Sequence, residues 1–387
     1  LAEEVTFPAP TNSLTLNMGD GPNVLDIESL DSAFEVPQFN INGGEQLDQV
    51  FVQAAAENTA LNINLFGGED LVFIQTTAAG GQTNIDTGAG NDRVSIAEAN
   101  SPTSSLDAIL SGIVIEGGAN DASSSSEVLS VTVEGKETNV VGQVAVDVVA
   151  GDVLEIVDSG SQDAHNYVFS GNRFQRTSEA TGNIDFTGFE TIEVITGQSD
   201  DTVVVSATAA QTQTHIDTAA GGDTVSVLGT GDDSLLEIEL GDGMDSASVS
   251  LLGNRALARL EGGAQDDQLT LTGSGFQAGV ELDGGAGNDL LDVQSTGDEA
   301  VVRLLGGADN DQLSVVNTGN DATAEVQGNT GQDELLLTTS GARGGVALRG
   351  DEDADTLTVS GTGNETLLHL DGAGGQDELN VKATGLN

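Results

Sequence analysis

The chain has 387 residues, of which 63 are acidic and only 10 basic, giving a net charge of −53. That balance disfavours nucleic acid as a partner. The absence of cysteine leaves no disulfide framework, and no apolar run approaches the ~20 residues that span a membrane. So acidic and glycine-rich a composition is also that of disordered chains, but 37% of the residues are hydrophobic and they are placed in register.

The first block, residues 1–96, sets the pattern. Asp48, Asp70 and Asp92 recur every 22 residues, each followed two and four positions later by aliphatic residues and preceded seven and nine positions earlier by a second such pair. Period-two apolar pairs on either side of a glycine turn predict two short half-buried strands per repeat. A fixed period with one such unit per repeat predicts a solenoid. The expected fold is an all-β, right-handed parallel β-solenoid with 22-residue coils, right-handed because crossover connections prefer that sense. About 17 coils at ~4.8 Å spacing would give a rod on the order of 80 Å long. Eight positions before these aspartates stand Asn40, Asn62 and Asn84, an amide ladder of the kind stacked strands favour.

Residues 97–200 break the period. "GGAND" (117–121) reads as a coil turn one residue short, and the serine run 123–126 that follows reads as a flexible loop. "HNYVFSGNRFQRT" (165–177) reads as a hairpin, in which Tyr167, Phe169 and Phe174 accompany Arg173 and Arg176. The aromatics are expected to cover a widened coil or sheet face, with a partner site as the alternative. "IDFTGFETIEV" (184–194) re-enters the stack.

Residues 201–387 are the regular region, with column aspartates at 201, 223, 245, 267, 289, 311, 333, 355 and 377. Eight positions before them Glu193, His215, Glu237, Arg259, Glu281, Arg303, Glu325, Ala347 and His369 form an outward charge ladder with one gap. Stacking puts successive aspartates about 4.8 Å apart, where bare carboxylates repel by roughly 0.9 kcal/mol in water and about 3.5 kcal/mol at an effective dielectric near 20. Nine in a row call for cations between them. Further acids six positions earlier, among them Asp217, Asp283 and Asp371, add charge. Oxygen donors on flexible loops suit calcium better than magnesium.

Gly284-Gly285-Ala286-Gly287-Asn288-Asp289-Leu290-Leu291 resembles the GGxGxDxUx repeat of RTX, or hemolysin-type, calcium-binding proteins, and "LGGADND" (305–311), "EGGAQDD" (261–267) and "DGAGGQD" (371–377) match it in part. The resemblance implies a secreted β-roll that folds on calcium, with the ion held by the aspartate and the loop carbonyls. That family's coil has calcium turns at both edges, whereas this one has a single acidic glycine edge, so one row of sites carries over. The metal set is therefore Asp48, Asp70, Asp92, Asp201, Asp217, Asp223, Asp267, Asp283, Asp289, Asp311, Asp355, Asp371 and Asp377. Asp245 and Asp333, in less typical loops, stand outside it.

No residue pattern identifies a catalytic site. Any two of 63 acids form a pair, so paired carboxylates carry no specificity. The chain opens on Leu1 and closes on "NVKATGLN" without a cap at either end, so the expected partners are itself, head to tail, or a longer parent chain, with a cell-surface glycan or protein as a further possibility. The expected function is an extracellular, calcium-binding structural solenoid serving as a filament or surface-layer subunit or an adhesin stalk. A polysaccharide-active or polysaccharide-binding β-helix is the alternative.

Overall fold

A computed structural model describes residues 12–30, 34, 36–97, 104–120, 123–177 and 181–382. The start of the first block, residues 1–11, lies outside them. The chain is an all-β parallel solenoid, and the helical element among the described residues is a single 3-10 turn, Leu106–Ala108. Among these residues no helix is long and apolar enough to cross a membrane.

Each regular coil contributes two strands, as in Gly279–Ala286 and Leu290–Val293. Each strand pairs in parallel with its counterpart 22 residues away, so that Leu260 faces Leu282 and Leu269 faces Leu291. The paired aliphatics read from the sequence are the core: Val280, Leu282, Leu291 and Val293 are fully buried. A further buried column, Ala256, Ala278, Ala300 and Ala322, immediately precedes the first strand of successive coils.

The chain divides into two compact units. The first comprises Leu1–Ser123, Ala150–Ser161 and Asn172–Glu193; the second comprises Ser124–Val149, Gln162–Gly171 and Val194–Asn387. The irregular segment 97–200 is thus shared between them. In the first unit the amide ladder forms as expected, Asn62 and Asn84 each donating to the preceding asparagine at 2.8 Å. The "GGAND" turn stacks on the loop below, where Gly90 N–H donates to the Ala119 carbonyl.

One expectation changes, and at 165–177 the covering role is favoured over a partner site. The serine run opens an extended strand, Ser123–Val133, which with Val140–Ala150 makes a long hairpin in the second unit. The reason is the alternating apolar side of that segment: Leu129, Val131, Val133, Val144 and Val146 are buried against the coils. The 165–177 segment does form strands, Asn166–Ser170 and Arg173–Arg176. Its aromatics, however, are internal, with Tyr167, Phe169 and Phe174 all buried. Arg176 is buried too, paired with Asp158 at 2.9 Å and with Asp107. Burial removes an aromatic-basic patch from the surface.

Leu291→Ala removes a fully buried side chain from a coil packed on both sides. It is expected to cost about 2–5 kcal/mol in urea unfolding, whereas Gln312→Ala on the exposed side of the next strand changes stability by less than about 0.5 kcal/mol.

Candidate cation site along the aspartate column

The column aspartates face inward. Asp48, Asp70, Asp92, Asp223, Asp289, Asp311 and Asp355 are all buried, and so are Asp201, Asp245, Asp267 and Asp333. Each stands at the start of its strand, where the glycine turn leaves a backbone N–H without a ladder partner. The column supplies one: the N–H of Asp267 donates to Oδ1 of Asp289 at 2.8 Å, and that of Asp289 to Oδ1 of Asp311 at 2.8 Å. The same bond links every coil from Asp201 to Asp377. One coil's side chain thereby satisfies the previous coil's backbone.

Only Oδ1 is used in this way. Oδ2 of Asp70, Asp92, Asp223, Asp245, Asp267, Asp289, Asp311, Asp333 and Asp355 is buried without a hydrogen-bond partner. It lies in a slot cleared by glycine. A Cβ on Gly262, Gly284 or Gly306, each five residues before its aspartate, would overlap that Oδ2 and also the carbonyl oxygen of the corresponding glycine one coil later. At the first aspartate of each run the second oxygen finds a donor. Oδ2 of Asp48 accepts from Gly44 N–H at 2.8 Å and that of Asp201 from Gly197 N–H at 2.9 Å.

Burial, reinforced by neighbouring carboxylates, pushes Asp70, Asp223, Asp267 and Asp311 up to about 7. Asp152 and Asp333 rise to about 6 for the same reasons. Asp92, Asp201, Asp245, Asp289 and Asp355 are raised, chiefly by burial. A buried carboxylate with one orphaned oxygen is a costly group unless something positive meets it.

The structure regroups the expected ligands. Asp48, Asp70, Asp92, Asp201, Asp223, Asp267, Asp289, Asp311, Asp355 and Asp377 belong to the bonded columns. Asp245 and Asp333, left out on loop sequence, belong to them with the same geometry. Asp152 was missed altogether: its Oδ1 accepts the N–H of Asp92 at 2.8 Å across a gap of 60 residues. Glu190 continues this column, accepting the N–H of Asp152 at 2.9 Å. Both had a readable signal, since Leu154 and Ile156 follow Asp152, and Ile192 and Val194 follow Glu190, at the same offsets of two and four.

Asp217, Asp283 and Asp371 are placed differently. They alternate with the inward positions and so stand on the outer side of the strand, away from the column. Asp217 and Asp371 instead cap their own turns, accepting from the N–H of Ala219 and of Ala373. Among the described residues no three His, Cys, Asp or Glu side chains converge as a chelating cluster. What the column does offer is a file of buried, unpartnered anionic oxygens beside backbone carbonyls, a donor set suited to a hard cation shared between coils.

On the outer face the charge ladder forms as expected. Arg259 lies 3.1 Å from Glu237 and 3.3 Å from Glu281, and Arg303 lies 3.0 Å from Glu281 and 3.6 Å from Glu325. His215 reaches Glu239, at 3.8 Å, instead of a rung of the ladder. At the gap, Ala347 is covered by the hairpin, and Arg349 from the adjoining column pairs with Glu325.

The raised carboxyls set the sign of the pH response in chelator. The folded state holds protons more tightly than the unfolded chain, so stability is full below about 3.8, falls as pH rises toward about 7, and is level above it. Thermal melts in chelator are expected to follow that course, and millimolar calcium to restore the lost stability at pH 8. Curves at pH 8 that coincide with and without calcium would sink the cation reading. Gly284→Ala, which fills the slot, is expected to cost about 1–3 kcal/mol.

The chain matches no family model, no curated protein and no solved structure, so the geometry of the column and its surroundings carries the functional reading.

Proposed function

We propose that the protein is an extracellular structural solenoid whose stack is held by calcium along the inward aspartate column, working as a filament or surface-layer subunit or as a stalk of an adhesive assembly. The observation that carries it is the chemistry of the column. Ladders elsewhere in this chain use asparagine, as at Asn40, Asn62 and Asn84, or mix asparagine with aspartate in exposed turns where water meets the charge, as at Asp266, Asn288 and Asn310. Asparagine would accept the same N–H without bringing a charge inside. Aspartate is nevertheless used at every column position of the regular region, and from Asp223 to Asp355 its buried second oxygen has no partner, a place where a cation would compensate the charge.

The residues would hold the ion through Oδ2 of successive aspartates and the adjacent glycine carbonyls. Calcium there supplies charge compensation and no chemistry. Millimolar calcium outside cells would load even weak sites of this kind. The outer surface supports a structural role as well. Every arginine in the chain is ion-paired internally: Arg93, Arg173, Arg176, Arg255, Arg259, Arg303, Arg343 and Arg349. An acidic polysaccharide would find few free cations. A concavity of about 200 Å³ beside the charge ladder is lined by Glu237, Glu239, Glu261, Glu281 and Asp283 around the already paired Arg259.

Axial contact is the assembly mode this reading favours. In the strand Glu378–Val381, Leu379 and Val381 are half exposed, whereas Leu357 and Val359, their neighbours one coil earlier, are fully buried. A further coil, from a second copy or from a longer chain, would cover them.

Two measurements test the proposal. Calcium titration by calorimetry is expected to show binding that falls when Asp289 is replaced by Asn, and that is unchanged by Asp298→Asn in the exposed opposite turn. Sedimentation in millimolar calcium is expected to show concentration-dependent growth that Leu379→Asp suppresses. A chain that stays monomeric at all concentrations would rule out the filament and leave the stalk; no heat of calcium binding would overturn the cation reading itself.

A further inference from the structure

The second unit carries an element that a simple solenoid lacks. In stacked-repeat proteins each repeat touches only its neighbours, so stability is a sum of nearest-neighbour terms and terminal repeats can fray. The hairpin Ser123–Val133 and Val140–Ala150 does not obey that rule. It lies over the outer positions Gln213, Leu235, Leu257, Gly279, Val301, Thr323, Gly345 and Leu367, which pair one coil after another.

Its contacts run along this series in order. Val146, Val148 and Val149 line a crevice with Gln213 and Leu235. Leu129 and Val144 descend on Gly279, Gly142 lies against Val301 and Thr323, Val133 and Val140 descend on Gly345, and Gly135 meets Leu367. Two of these approaches fall where the column has glycine, which leaves space for the hairpin's side chains. Polar contacts follow the same line: Glu127 pairs with Arg259 at 3.0 Å, the Ser130 carbonyl accepts from Arg303, and the Glu134 carbonyl lies 3.3 Å from Nδ1 of His369.

The lengths agree. Strands of 11 residues span about 36 Å, and the seven steps from Gln213 to Leu367 at ~4.8 Å span about 34 Å. The hairpin therefore crosses the coil strands and runs along the stacking direction.

We propose that this hairpin is a longitudinal clamp that couples the coils from Gln213 to Leu367 into one cooperative body. Coils up to seven steps apart share one packed element, so the second unit yields to heat, denaturant or tension as a whole and does not peel from the Leu367 side. The clamp also covers Leu235, Leu257, Val301 and Leu367, which would otherwise stand as an aliphatic stripe on a sheet face. The inference rests on packing alone and requires no bound ion.

Hydrogen exchange of the full chain at fixed calcium is the test. In the wild type, backbone amides of the coil strands from Leu235–Glu239 to Leu367–Asp371 are expected to open with one common free energy. Leu129→Asp with Val144→Asp places charge under the hairpin and leaves every inward core residue intact. In that variant, amides of Leu367–Asp371 are expected to exchange about tenfold faster or more, relative to those of Leu235–Glu239. Val128→Asp with Val141→Asp, on the hairpin's exposed side, is expected to match the wild type. Coil amides that still open together once the hairpin amides are unprotected would overturn the clamp. Should the charged variant fail to fold, the wild type decides: graded opening along the series already contradicts it.

Discussion

The bond from each column N–H to Oδ1 of the aspartate one coil later is the constraint on which the rest depends. A parallel solenoid is strongly bonded along its strands and weakly specified at its turns, where the chain reverses and backbone donors lose their ladder. Here the donor at the start of the strand is met by a side chain of the next coil. A slip by one residue would replace that acceptor and turn the apolar pairs outward at the same time. Register is therefore fixed twice, by the polar bond at the turn and by burial along the strand. The glycine five residues before the aspartate follows from the same requirement, because the carboxyl can reach the next coil only if nothing projects into its slot.

Continuity of the column explains how the stack tolerates irregular chain. Between Asp92 and Asp152 lie 60 residues, and between Asp152 and Glu190 lie 38, yet the bonds are as short as in the regular region. The coil is defined by its slot, and chain leaving after one slot and returning to the next adds a loop-closure cost that grows only slowly with length. The long hairpin is such an excursion. Its ordering is offset by burying an apolar side, Leu129 to Val148, that the coils beneath accommodate with glycines and an alanine at Gly279, Gly345 and Ala347.

The sequence made the strands, their pairing interval and two outer ladders legible because each depends on residue type at fixed offsets. The direction of the column was open to the same logic. Residues two and four after the aspartate face inward, so the aspartate shares their parity and must be inside, as Asp289 is with Leu291 and Val293. By the same parity Asp283, next to inward Leu282, falls on the other side of its strand, where it is half-buried. Asp152 and Glu190 are hidden from the 22-residue spacing, and only the offset of two and four to the following aliphatics marks them. The hairpin was hidden by its serines, which mask the alternating Leu129, Val131 and Val133 that follow. Three-dimensional pairing of Arg176 with Asp158 could not be read at all, since the two are joined only by packing.

If copies of the chain associate as proposed, charge favours axial over lateral contact. With all arginines engaged inside the chain, the excess acid on the flanks of each unit has no internal compensation, and parallel flanks of two copies repel over about the screening length of ~8 Å at physiological salt. The coil face is different in kind. At Leu379 and Val381 the strand exposes aliphatic side chains, so the proposed contact there would gain burial that the flanks cannot offer. A head-to-tail contact of that sort joins unlike surfaces and does not close on itself. Ions along the inward column would not alter that preference; they lie at the interior of each coil, and the repulsion they relieve is the one between successive coils of the same stack.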